Sequence, residues 1–133
     1  MSYKISTDNG GFYVQVEARF LGEDLLVTCT GGDKPHIGAV AVAHPRPSLD
    51  DPSELSASAN IICLSGHRED EVARAASLKL CRDLNCTVTV VAGMHWYEID
   101  GEGIEHVVAN VEELIEKLRT VLSEGLSPED EAT

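Results

Sequence analysis

Three short stretches of the chain set histidine beside glycine: Gly31-Gly32-Asp33-Lys34-Pro35-His36-Ile37-Gly38, Gly66-His67-Arg68-Glu69-Asp70 and Ala92-Gly93-Met94-His95-Trp96. Imidazole can ligate a metal, move a proton near neutral pH or hydrogen-bond an anion, and glycine lets a ligand approach the backbone. His36, His67 and His95, with Glu69 or Asp70, are a candidate divalent-metal set of imidazole and carboxylate donors. The same histidines serve equally as general acids or bases, or as donors to an anionic ligand. No two of them have the i, i+4 spacing of a helical metal motif, so a shared site must be made by tertiary structure.

Two of the stretches also suit phosphate. Gly66-His67 stands just before a helical pattern, where backbone N–H groups are free, although Glu69, Asp70 and Glu71 already stand at the positive end of that helix. Gly31-Gly32-Asp33-Lys34 offers amides and a cation, but it lacks the P-loop order and also reads as a hairpin turn. Met94 and Trp96, flanking His95, can cover a flat ring or pack the rim of a core. His44 and His106 converge with nothing and read as surface residues.

The elements that must position these residues follow from periodicity. Phe12 to Phe20 alternates apolar and polar residues, the pattern of a half-buried strand, and Leu25 to Thr30 is its antiparallel partner. His36 to Ala43 is a third strand of small residues that invite close packing. His44 to Glu54, with three prolines, reads as an exposed loop, and the apolar run Asn60 to Leu64 as a strand covered on both faces. Val72 to Leu84 has helical spacing, with acids first and bases last and Asn85 as its stop. Thr87 to Ala92 is a fifth strand, completing a βαβ unit. The stripe from Ile104 to Leu122 is helical, with Asn110 and Glu113 as a capping box that divides it.

A hairpin of the second and third strands would place Gly31–Pro35 and His36 at one end of the sheet. If the third strand runs antiparallel to the fourth, His67 lies at that end too, and the βαβ unit adds His95. This is the carboxyl edge of the parallel pair, where open α/β sheets bind ligands.

Composition bounds the partners. A formal charge of -13 removes the counterion-release term behind nucleic-acid binding and disfavours anionic membranes. Cys29, Cys63, Cys81 and Cys86 form no Cys-x-x-Cys pair, and two lie in apolar runs, so reduced thiols in a cytoplasmic protein are expected. Neither a signal-peptide pattern nor an apolar run near the roughly 20 residues of a membrane span is present.

The combination Gly-Gly-x-x-Pro-His-Ile-Gly-Ala-Val, Gly-His-Arg-Glu-Asp, Val-Val-Ala-Gly-Met-His and Asn-Val-Glu-Glu-Leu resembles the LpdD-like family over roughly Gly11 to Leu122. These are small D-type subunits of hydroxyarylic acid decarboxylase systems, regarded as prenylated-flavin chaperones. The resemblance implies binding of prenylated FMN, or FMN, made by a flavin prenyltransferase, and its protection or delivery to a UbiD-type decarboxylase. The positions that match are Gly31, Gly32, Pro35, His36 and Gly38, then Gly66, His67, Glu69 and Asp70, then Gly93 and His95. Arg68 stands where the family usually has lysine, Met94 where it has an aliphatic residue, and Trp96-Tyr97-Glu98 departs from a short polar run.

The expected architecture is one α/β domain bordering on α+β, over residues 1–125, with a mixed sheet of about five strands in the order β-β-β-β-α-β-α and two main helices on one side. Residues 126–133 are expected to be an acidic disordered tail. An open sheet face invites a homodimer. The expected cofactor contacts are Gly31, Gly32, Lys34, His36, Gly38, Gly66, His67, Arg68, Gly93 and His95, with a divalent metal as mediator. Two other readings use the same residues: a small metal-dependent hydrolase or lyase with Glu69 as base, and a purely structural decarboxylase subunit.

Overall fold

Alternation of buried and exposed side chains builds the first half of the sheet. In the computed structural model, which describes residues 2–64 and 69–124, β1 (Ser2–Thr7), β2 (Val14–Leu21) and β3 (Asp24–Gly32) form an antiparallel meander. Val14, Val16, Val27 and Cys29 are fully buried on one face, while Gln15, Glu17, Thr28 and Thr30 occupy the other. Leu21 pairs with Asp24 across a tight turn whose first residue, Gly22, takes a φ of 65°. That left-handed conformation suits glycine and matches the twist of a hairpin.

The second half adds β4 (Ala39–Pro47), β5 (Leu55–Cys63), α1 (Asp70–Leu84), β6 (Val88–His95) and α2 (Gly101–Glu124). The strand order is β1-β2-β3-β6-β4-β5, with β6 parallel to β3 and antiparallel to β4. Ala39, Ala41 and Ala43 of β4 present a row of small buried side chains to α1, whose Ala73, Ala76 and Leu80 are buried in turn. The close packing that the small residues invite is therefore supplied by a helix. At its far end α1 stops at Asn85 in the left-handed conformation, with a φ of 51°.

The fold is a single domain of the α+β type, a mixed six-stranded sheet with both helices on one face. Several sequence expectations need correction. Ser2–Thr7 is a sixth strand whose few apolar residues, Tyr3 and Ile5, suffice only for an edge. The second and third predicted strands are not hairpin neighbours, because β6 lies between β3 and β4. β5 is the other edge of the sheet rather than a strand covered on both faces, and its Ile62 is 69% exposed. β4 begins three residues later than expected and continues through Pro47 into the predicted loop. Beyond Ala43 it has β5 alone as a partner, and such an edge tolerates proline.

Asn110 does not divide the last helix. α2 is continuous and is capped by Asp100, whose Oδ1 accepts from the Gly103 amide at 2.7 Å. Asn110 is instead buried, and its Nδ2 donates to the carbonyls of Asn9 (3.0 Å) and Phe12 (2.9 Å), tying α2 to the connection between β1 and β2. Replacing it by alanine strands both carbonyls. Asn110→Ala should lower stability by roughly 1–3 kcal/mol in urea unfolding. An exposed control, Asn60→Ala, should change stability far less.

Candidate functional site

The rim where β3 and β6 end and β4 begins contains the candidate site, because β4 and β6 part there. Their pairing stops at Ala39 opposite Ala92; beyond it the Gly38 amide donates to the Ala92 carbonyl at 2.9 Å, and the His36 amide reaches Gly93 O at 3.5 Å. The backbone of His36 crosses directly over Gly93. A Cβ on Gly93 would lie 1.6 Å from the His36 carbonyl oxygen, so only glycine fits.

Glu69 fills the gap on the helix side. It is 8% exposed, and its Oε1 accepts from His36 Nε2 at 2.9 Å and from the Met94 amide at 3.3 Å. Its carbonyl begins the hydrogen bonding of α1 through the Ala73 amide at 3.0 Å. The carboxyl group occupies the space where a side chain on Gly38 would point, since a Cβ there would meet Oε2 at 2.5 Å. The other ring nitrogen of His36, Nδ1, donates to the Lys34 carbonyl at 2.9 Å.

The rim thus joins His36, Gly38, Glu69 and Gly93, four of the residues singled out in the sequence. His95 is not part of that cluster: it is exposed, alternates to the face opposite Ala92 and Met94, and meets Tyr97 edge-on at 6.0 Å. Asp70 opens α1. Gly66, His67 and Arg68 lie outside the described residues. Among the described residues no group of three or more His, Cys, Asp or Glu is arranged to hold a metal ion.

The Gly31-Gly32 loop is a clamp. The Gly32 amide donates to the Tyr13 carbonyl (3.1 Å) and the Asp33 amide to the His95 carbonyl (2.7 Å), so neither is directed at a ligand. Asp33 Oδ2 accepts from the Tyr97 amide at 3.2 Å, which fastens the segment after β6. Gly32 has a φ of 77°, and a Cβ there would lie 2.0 Å from His95 O. The Lys34 side chain is exposed. Trp96 packs edge-on against Phe12 at 5.8 Å and Met94 against the core, so both serve packing rather than standing free to cover a ring.

Ile37, 60% exposed, and Tyr97, 82% exposed, were not among the expected contacts, although both lie in the segments that form this rim. Ile37 was expected inside a strand; it is exposed because the strand begins only at Ala39. His106 is half-buried against Phe12 at 5.4 Å, whereas His44 is exposed as expected.

Cys29 and Cys81 are not nucleophiles of this site. Burial pushes Cys29 up to about 12 and, as the main cause, Cys81 up to about 11, well above an ordinary thiol. All four cysteines are free, and Cys63 alone is exposed. Alkylation at pH 8 should therefore modify Cys63 first and reach Cys29 and Cys81 only on unfolding, as read by peptide mass analysis. Because Cys29 is harder to ionise when folded, its contribution makes stability fall as pH rises from about 9 toward 12.

The buried pair predicts an ordering of variants. His36→Ala leaves a buried carboxylate with one fewer donor and should cost roughly 3 kcal/mol, whereas Glu69→Gln keeps the shape without the charge and should cost clearly less. Gly93→Ala should be more damaging than Gly38→Ala, because it meets backbone, which cannot turn aside, rather than the end of the Glu69 side chain. Urea unfolding of the variants checks the order.

Three comparisons place the chain among known proteins. No curated protein matches it. Among solved structures, a chain from the structure titled "Crystal Structure of a Novel Chaperone Complex for Yeast 20S Proteasome Assembly" matches with a TM-score of 0.53 and 9% identity, covering 86% of this chain and 98% of that one. At that identity the likeness is one of fold alone. The family model described as "Prenylated flavin chaperone LpdD-like domain" matches residues 8–123. That span holds α1, all but the last residue of α2, five of the six strands and the described residues of the rim, and the chain belongs to the LpdD-like prenylated flavin chaperone family.

Proposed function

We propose that the chain binds prenylated FMN at the β3/β6/β4 rim and protects it or delivers it to a UbiD-type decarboxylase, having received it from a flavin prenyltransferase. Family membership makes a chaperone role the starting point. The observation that carries the binding reading is the rim itself: Ile37 stands exposed next to His36 of the braced His36–Glu69 pair, and the segment after β6 exposes Tyr97 against His95. An apolar, partly aromatic surface with a few fixed polar groups suits a flat ring bearing a hydrocarbon addition.

Phosphate recognition is assigned to the Gly66–Arg68 stretch rather than to Gly31-Gly32, whose neighbouring amides are engaged within the fold. Incubation with FMN and with prenylated FMN, with and without a divalent cation, followed by gel filtration, tests it. Retained prenylated flavin is expected, with at least about tenfold weaker binding in Tyr97→Ala, the loss of a stacking contact worth about 1.4 kcal/mol. No retained flavin under any condition overturns the reading.

The open sheet face supports a second element of the proposal, a homodimer. Val42, 40% exposed, and Ile62 lie there beside Val40 and Val91 in a patch with few charges. Isologous pairing of that face would bury it. Light scattering should give a dimer that Ile62→Lys converts to monomer; a monomeric parent protein rules the pairing out.

A further inference from the structure

Helices α1 and α2 run side by side in the same direction, as their cross-links show. Lys79 Nζ meets Glu116 Oε2 at 3.1 Å, and one turn further on Arg119 Nε meets Asp83 Oδ2 at 4.0 Å. These contacts close the helices together at their later halves. Toward their beginnings no ion pair crosses between them among the described residues, and a groove of about 540 Å³ opens.

Its floor is apolar. Ala76, Val111 and Ile115 are buried at its base, while Val72, Ala75 and the 37% exposed Val108 line its sides. Alanine side chains are too short to fill the space between two helices, which is why the groove persists where the sequence places Ala75-Ala76. Its margins are acidic: Glu71 stands on α1 and Glu112 on α2, neither in an ion pair among the described residues, and Glu116 shares Lys79 with Asp83.

We propose that this groove is a docking site for a helical segment of a partner protein, apolar on one face and flanked by lysine or arginine. An apolar trough between two helices accepts the side chains of a third helix at i, i+3, i+4 and i+7 spacing. The carboxylates on both margins select the charge of its flanks. They also argue against a second copy seated in the groove, whose own groove margins carry the same acids, and against an anionic lipid surface. The groove lies on the helical face, away from the open face of the sheet, so an occupant leaves the proposed dimer face free.

The probe is a synthetic amphipathic peptide of about four turns, with leucines at helical spacing and lysine flanks. Its controls are a scrambled sequence of the same composition and a version with glutamate flanks. Fluorescence anisotropy with the full chain should show the lysine-flanked peptide binding at least about tenfold more tightly than either control. Neutralising the margins, Glu71→Gln with Glu112→Gln, should remove most of that preference, and both are exposed positions where circular dichroism can verify the fold. Amide shifts on binding should centre on Ala75, Val108 and Ile115. Absence of binding, equal affinity for the glutamate-flanked peptide, or shifts centred on the sheet overturns the proposal.

Discussion

A buried carboxylate between two diverging strands is the constraint on which the rest of the rim depends. β4 and β6 hydrogen-bond through Ala39 and Ala92 and then separate, which leaves amide and carbonyl groups that must find partners. Glu69 supplies one, accepting from the Met94 amide and from His36 at once. Because the side chain enters from the N-cap position of α1, the pair also sets where that helix begins relative to the sheet. Charge is tolerable at this depth only because donors surround it.

The glycines of the rim follow from that arrangement. Gly38 makes room for the carboxyl group and Gly93 for the backbone of His36, so each yields to a particular neighbour rather than to a need for flexibility. Gly32 differs: it takes a left-handed conformation that lets the loop after β3 fold onto His95 and hold the segment leading to Tyr97. A cluster of glycines that resembles a phosphate cradle is thus largely a device for close packing. What it leaves exposed are Ile37 and Tyr97.

Putting both helices on one face divides the surface into regions of different chemistry. Acidic side chains crowd α2 and the margins of the groove between the helices, while the open sheet face mixes hydroxyl and aliphatic residues. No helix among the described residues is long and apolar enough to cross a membrane.

Local periodicity in the sequence determined much of this protein. Alternation in Phe12 to Phe20, the acids-first pattern of α1 and its stop at Asn85 depend on neighbouring residues, whose mutual geometry the backbone imposes. The joint order of the glycine–histidine stretches was enough to suggest the family. Tertiary structure decided the rest. That β6 inserts between β3 and β4 is a choice among strand partners separated by many residues, and short-range pattern does not encode it. The rim was nonetheless foreseen, because an inserted strand antiparallel to β4 and parallel to β3 leaves both at the same ends. Asn110 carried a capping signature, yet two distant carbonyls claimed its side chain. His36 and Glu69 pair while His95 turns away, because side chains alternate across a strand and one residue of register decides the face.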